Sequence, residues 1–196
     1  MTVVRVRAYP LHVDVTKRTL PGLAVVSGTF SGLRHAIRPS WAAANGDDDL
    51  LLGVNVRGCS IARQRDHDLT LRDGDAFFAT RDASGFNITR PTPARFVACR
   101  VPRGAVAPLV GRIDVTPLRL VPPRSEALSL LVTYAQAIVD ALPLATLELQ
   151  RLAVTHMHDL IAATIGATRD GSAIAERRGI AAGRLRAIMN DISTPW

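Results

Sequence analysis

Short apolar runs separated by turn signals fill the stretch from Asp49 to Val101, which is the rhythm of an antiparallel sheet protein. As a strand, Leu50 to Val56 places Leu50, Leu52, Val54 and Val56 on one face and Leu51, Gly53, Asn55 and Arg57 on the other. Further strands are predicted at 60–65, 69–71, 76–80, 86–90 and 95–101, with turns at Arg57-Gly58, Arg72-Asp73-Gly74-Asp75, Ser84-Gly85 and Arg90-Pro91-Thr92-Pro93. Thr29 to Arg38 alternates loosely and reads as the first strand of this unit; weaker strand signals precede it at 3–6 and 11–15. The period then changes. Ser125 is an N-cap, and Leu128, Leu131, Val132, Ala135, Ile138, Val139 and Leu142 recur at spacings of three and four before Pro143. A second helix is predicted from about Thr146 to Ile165 with Gly166 as its stop, and two shorter ones at 172–178 and 181–192. Between the halves lies a proline-marked connection from Val101 to Pro123, with one short helix near Val106 to Gly111.

The fold class is therefore α+β, a small antiparallel barrel followed by helices. The chain divides into residues 1–120, the barrel with its connecting segment, residues 121–178, a helical region, and residues 179–196, a linker with an opening helix. Aromatics support this division. Phe30, Trp41, Phe77, Phe78, Phe86 and Phe96 all fall in the β part, whereas the helices present Leu, Ile, Val and Ala faces suited to helix packing.

Composition narrows the function classes. At 196 residues and 47% hydrophobic the chain has material for a packed core. No run approaches the roughly 20 apolar residues of a membrane span, and no apolar segment follows the first charges as in a signal peptide, so a cytoplasmic location and no membrane partner are expected. Cys59 and Cys99, each in a predicted strand, are expected as buried thiols. The formal net charge is +7. Residues 1–120 hold 17 Lys/Arg against 10 Asp/Glu, and residues 121–196 hold seven of each. The excess therefore sits on the β part, whereas a helical DNA-binding unit carries it on its own helices.

Catalytic signals are missing. There is no Gly-x-Ser-x-Gly elbow, no phosphate loop, and no paired-carboxylate motif. His12, His35 and His67 share no short spacing, and His156 and His158 lie on different sides of one helix, so no metal site is expected. Asp47-Asp48-Asp49 reads as a solvated loop.

Taken in order, Gly58-x5-Gln64, Leu69-x-Leu71-x2-Gly74-Asp75, the Phe77-Phe78 strand, Phe86, and a strand ending Val101-Pro102-Arg103 resemble the N-terminal regulatory domain of AraC-type transcriptional regulators. The segment from Gly179 to Ile192 is similar to the linker and opening helix of that family's DNA-binding domain. The resemblance spans roughly residues 28–192 in element order. It departs at Arg65-Asp66, where relatives carry Gly-Arg, and at Ala83-Ser-Gly85, where Arg-Pro or His-Pro is common. The two helix-turn-helix motifs would begin where this chain stops.

The resemblance implies a cupin-like barrel that binds a small-molecule effector, followed by helices that form a homodimer, with DNA contacted only through a C-terminal domain not present here. It implies no catalytic residue, no metal and no cofactor; a small cupin-like metal-dependent enzyme is the alternative. Ligand pockets are largely apolar with a few placed polar groups. Asn55, Arg57 and Gln64 are the polar candidates, since each interrupts apolar company in a strand, and Phe77, Phe86 and Phe96 with Val54 are the candidate lining. Arg57 is the expected charged anchor for an acidic or aromatic effector, through its planar fork. Leu128, Leu131, Val132, Ala135 and Leu142 are the expected dimer stripe, joined by the helix around Leu152.

Overall fold

The computed structural model describes residues 2–5, 10–37, 49–80, 86–110, 118–121, 125–140, 144 and 146–166. The predicted helices at 172–178 and 181–192, and Leu142, lie outside the described residues. Among the described residues eleven strands and three helices run in the order β1 (Thr2–Arg5), β2 (His12–Leu20), β3 (Leu23–Ser31), β4 (Leu33–Ile37), β5 (Asp49–Arg57), β6 (Ser60–Gln64), β7 (His67–Leu71), β8 (Ala76–Thr80), β9 (Phe86–Arg90), β10 (Ala94–Pro102), α1 (Arg103–Val110), β11 (Arg119–Val121), α2 (Glu126–Asp140) and α3 (Leu147–Ile165).

The strands form two antiparallel sheets. One is five-stranded in the order β1-β4-β9-β6-β7; the other is six-stranded in the order β11-β8-β5-β10-β3-β2. Among the described residues the two sheets do not close into one hydrogen-bonded ring. The predicted strand from Thr29 to Arg38 is in fact two. Gly32, at φ 69°, breaks it, so that β3 pairs with β10 in one sheet and β4 with β9 in the other.

The central strand β5 shows how the pattern builds two cores. Leu50, Leu52 and Val54 join Val25, Val97, Cys99 and Val101 in a cluster that also contains Leu128, Leu131, Ala135, Ile138 and Val139 of α2 and Met157, Leu160 and Ile161 of α3. That face of the six-stranded sheet therefore carries the helices. The opposite face meets the second sheet, across Phe30, Ala62, Leu71, Phe77, Ala79, Phe86, Ile88 and Phe96. Val54 consequently lies on the helix side and does not line the space between the sheets.

Ser125 and Gly166 close their helices as expected, and Thr146, the expected start of the second long helix, is its N-cap. Ser125 Oγ accepts from Leu128 N at 3.1 Å, and Thr146 Oγ1 accepts from Leu149 N at 3.2 Å. Gly166 takes a left-handed conformation, and its N–H donates to the Ala163 carbonyl. Polar contacts join the helical layer to the β2–β3 hairpin. Ser27 Oγ donates to Gln136 Oε1 at 2.7 Å, Arg18 Nε donates to the Val139 carbonyl at 3.3 Å, and His158 Nε2 meets the Gly22 carbonyl at 3.0 Å.

This arrangement corrects the expected dimer stripe. Leu128, Leu131 and Ala135 are at most 4% exposed within a single chain, and Val132 packs against the same cluster. The sheet needed a cover for its outer apolar face, and α2 supplies it. On the helices, the large apolar side chains left in solvent are on α3, where Leu147, Leu149 and Leu152 are 52%, 46% and 43% exposed; Val13 and Val15 of the edge strand β2 are exposed as well. The proline-marked connection also holds a strand that the sequence pattern did not reveal: β11 pairs with β8 through Arg119↔Phe78, Leu120↔Phe77 and Val121↔Ala76.

Candidate functional site

The space between the sheets is lined by alternate residues of facing strands. On β9, Phe86, Ile88 and Arg90 are buried while Asn87 and Thr89 are only partly so, which sets one inward row. The register Leu33↔Arg90 and His35↔Ile88 puts Leu33 and His35 on the same face, and Ala62↔Ile88 brings in Ala62 of β6. Across from this row stand Phe30 and Phe96, whose centroids are 5.2 Å apart at an interplanar angle of 77°, and Phe77, which stacks on Phe86 at 5.6 Å. Three of the predicted lining residues, Phe77, Phe86 and Phe96, are thus brought together, and Phe30 joins them.

Gly53 is needed for this packing. A Cβ there would lie 2.4 Å from two ring atoms of Phe77. Backbone geometry is not the reason, since φ at Gly53 is not in the left-handed range; the ring simply occupies the side-chain volume.

The predicted polar residues separate. Gln64 is 1% exposed and belongs to the buried row of β6 with Ser60 and Ala62. Asn55 is equally buried, but its amide holds the local turn. Its Nδ2 donates to the Gly58 carbonyl at 2.6 Å, and its Oδ1 accepts from Ser60 Oγ at 2.5 Å. Gly58, at φ 90°, makes that turn, and its N–H donates to Asp73 Oδ1 at 2.7 Å. With both ends of its amide engaged, Asn55 is a brace rather than a free ligand group.

Arg57 is exposed. It lies with Thr29, Gly58, Asp73, Pro93 and Arg95 in an open cleft of about 410 Å³. Thr29 and Arg95 alternate with Phe30 and Phe96 along their strands, so they point away from the aromatic interior. The expectation that Arg57 anchors an interior ligand is therefore overturned. The β5–β10 ladder shifts register between Arg95 and Phe96, so that Asn55 pairs with inward Phe96 while Arg57 pairs with outward Arg95.

The cation in the interior is Arg90. It is 4% exposed, and its guanidinium carbon sits 4.1 Å from the ring centroids of both Phe30 and Phe96. Its Nε is buried without a hydrogen-bond partner, and so is Nε2 of His35. Burial holds the Arg90 pKa down to about 9. The His35 imidazole is pushed below its ordinary value, first by burial and then by the neighbouring Arg90 charge. Arg90-Pro91 read in sequence only as a turn. The signal that would have found it is the alternation Phe86, Ile88, Arg90, which continues the inward row one step further than the apolar run.

Among the described residues no three His, Cys, Asp or Glu side chains converge as metal ligands. No described helix is long and apolar enough to cross a membrane.

The fold resembles that of a solved structure. An AraC-like transcriptional activator, CuxR, superposes with a TM-score of 0.61 at 16% identity, over 77% of this chain and 54% of that one. The fold is cupin-like. The match spans about half of the activator's length, and at this identity the likeness is one of fold. A cupin-2 domain protein from Shewanella frigidimarina matches 48% of this chain and 86% of its own at 9% identity and a TM-score of 0.36. The ethanolamine utilization protein EutQ from Salmonella typhimurium matches 45% and 68% at 14% identity and a TM-score of 0.36. No family model matches the chain, and no curated protein matches it.

Proposed function

We propose that this chain is the effector-binding, regulatory part of a transcription regulator and that it is not catalytic. A small molecule is held between the two sheets, and DNA is contacted by another part of the protein. The observation that carries this reading is the interior itself. A buried arginine lies over Phe30 and Phe96, the buried Gln64 belongs to the same row of β6 as Ala62, and Phe77 and Phe86 complete the apolar wall. Small-molecule sites use this mixture of apolar wall and few polar groups. The cupin-like fold with helices on one sheet, shared with an AraC-like activator, supports the regulatory assignment. Within this proposal the homodimer forms through the first half of α3. Leu149 and Leu152 are three residues apart on one helix face, and Leu147 opens the helix beside them.

A thermal-shift screen of sugars, organic acids, aromatic metabolites and nucleotides on the purified chain tests the proposal, with metal analysis of the same sample. Stabilisation by one compound class at sub-millimolar concentration, without stoichiometric Fe, Mn, Ni or Zn, is the expected result. One equivalent of such a metal together with turnover of a small substrate would replace the regulatory reading with a cupin-like enzyme.

A further inference from the structure

Among the described residues Arg90 is the one buried arginine or lysine. Ordinarily such a group is paired with a carboxylate, because an unpaired buried charge is costly. Here Phe30 and Phe96, each 4.1 Å from the guanidinium carbon, supply cation–π contact, which offsets only part of that cost. Both rings act through the π system, and the buried Nε has no hydrogen-bond partner. Beside it on the same inward face, one step diagonally across the β4–β9 ladder, His35 presents a second buried and unpartnered nitrogen. Arg90 is also the last residue of β9, next to the turn at Pro91, so the pair lies at the rim end of the interior rather than at its centre.

We propose that Arg90 and His35 bind the carboxylate of a small monocarboxylic acid whose apolar body lies against Phe30 and Phe96. The planar fork of Arg90 matches a carboxylate through two parallel N–H bonds. His35 adds a hydrogen bond. The charge count selects the class. One guanidinium beside an uncharged imidazole balances one negative charge, whereas a phosphate dianion would bring an excess. This inference rests on the proposed effector-binding role and specifies its chemistry.

The test is a titration followed at the Arg90 Nε–H resonance, assigned by its loss in Arg90→Lys. The probes are acetate, benzoate and phenylacetate, the matched amides, and phenyl phosphate, with melting temperatures measured alongside. The expected result is a saturable shift of the Arg90 signal and a rise in melting temperature with at least one carboxylate, and at least a tenfold weaker response to its amide. Arg90→Met should fold, melt at or above the parent temperature without ligand, and gain nothing from the acid. His35→Phe should weaken the acid several-fold.

An Arg90 signal unmoved by every carboxylate overturns the inference, as does an amide that binds as well as its acid. Binding of phenyl phosphate alone also overturns it. So does an Arg90→Met protein that melts well below the unliganded parent, which would make Arg90 a structural clamp between the two rings. A neutral compound that stabilises parent and Arg90→Met equally sinks this inference while leaving the effector-binding proposal standing. The absence of stabilisation by any compound in the wider screen removes both.

Discussion

Replacing Gly53 by alanine adds one methyl group at a point already occupied. The new Cβ would stand 2.4 Å from Cε1 and Cζ of Phe77 and 3.2 Å from its Cδ1. Phe77 has little room to yield, being 2% exposed and stacked on Phe86 at 5.6 Å. Alanine is the better strand residue in principle, and its restriction of the unfolded chain favours folding by about 0.4–1 kcal/mol. Overpacking of a filled core costs about 1–3 kcal/mol, so the clash wins and Gly53→Ala is expected to lose about 1–2 kcal/mol. The cause can be isolated with Phe77→Leu, which removes the offending ring atoms at the cost of a cavity. In urea denaturation of the parent, both single variants and the double, the double should be more stable than additivity predicts, by about 0.5–2 kcal/mol. A Gly53→Ala protein within about 0.5 kcal/mol of the parent, or single effects that simply add, would show that Phe77 does not fill the Gly53 position.

Other perturbations separate the two helical faces and the two thiols. Leu131→Asp puts a charge at a site with no exposure and should unfold the chain; Leu149→Asp with Leu152→Asp should keep the circular dichroism spectrum but halve the mass in sedimentation equilibrium. Losing the N-cap in Ser125→Ala or Thr146→Ala should cost about 1 kcal/mol each in urea, and the two should add. Cys99 is fully buried in the helix-side core, and burial pushes its thiol up to about 12, so a thiol reagent near neutral pH should label Cys59 in the native chain and Cys99 only after denaturation.

The sequence exposed most of the local architecture because each signal had a nearby physical cause. Ser125 and Gly166 cap their helices through groups three residues away, so these two ends were legible directly, whereas Thr146 read as the helix start and is its N-cap. The alternation in Leu50 to Val56 correctly separated two faces, but not which face met helices and which met the other sheet. That is why Val54 was expected to line the interior and lies instead among helix side chains. The same ambiguity affected α2, whose stripe was read as a dimer surface although an intrachain partner was available. Arg57 and Arg90 show where reading a strand in isolation stops. Both end strands, and only pairing through Leu33↔Arg90 and Arg95↔Arg57 decides which is inside. β11 was hidden by its length, three residues being too short for a period to register.

The central claim is that a small molecule binds between the two sheets rather than in the outer cleft. Hydrogen–deuterium exchange tests it most directly, using the compound that gives the largest shift in the thermal screen. Protection is predicted in peptides covering β4, β9 and the start of β10, around His35, Arg90 and Phe96, with the exposed turn at Arg65 and Asp66 unchanged. Protection confined to the turn from Arg57 to Gly58 and the Asp73 loop, with β4 and β9 exchanging as before, would place the ligand in the outer cleft and contradict the account.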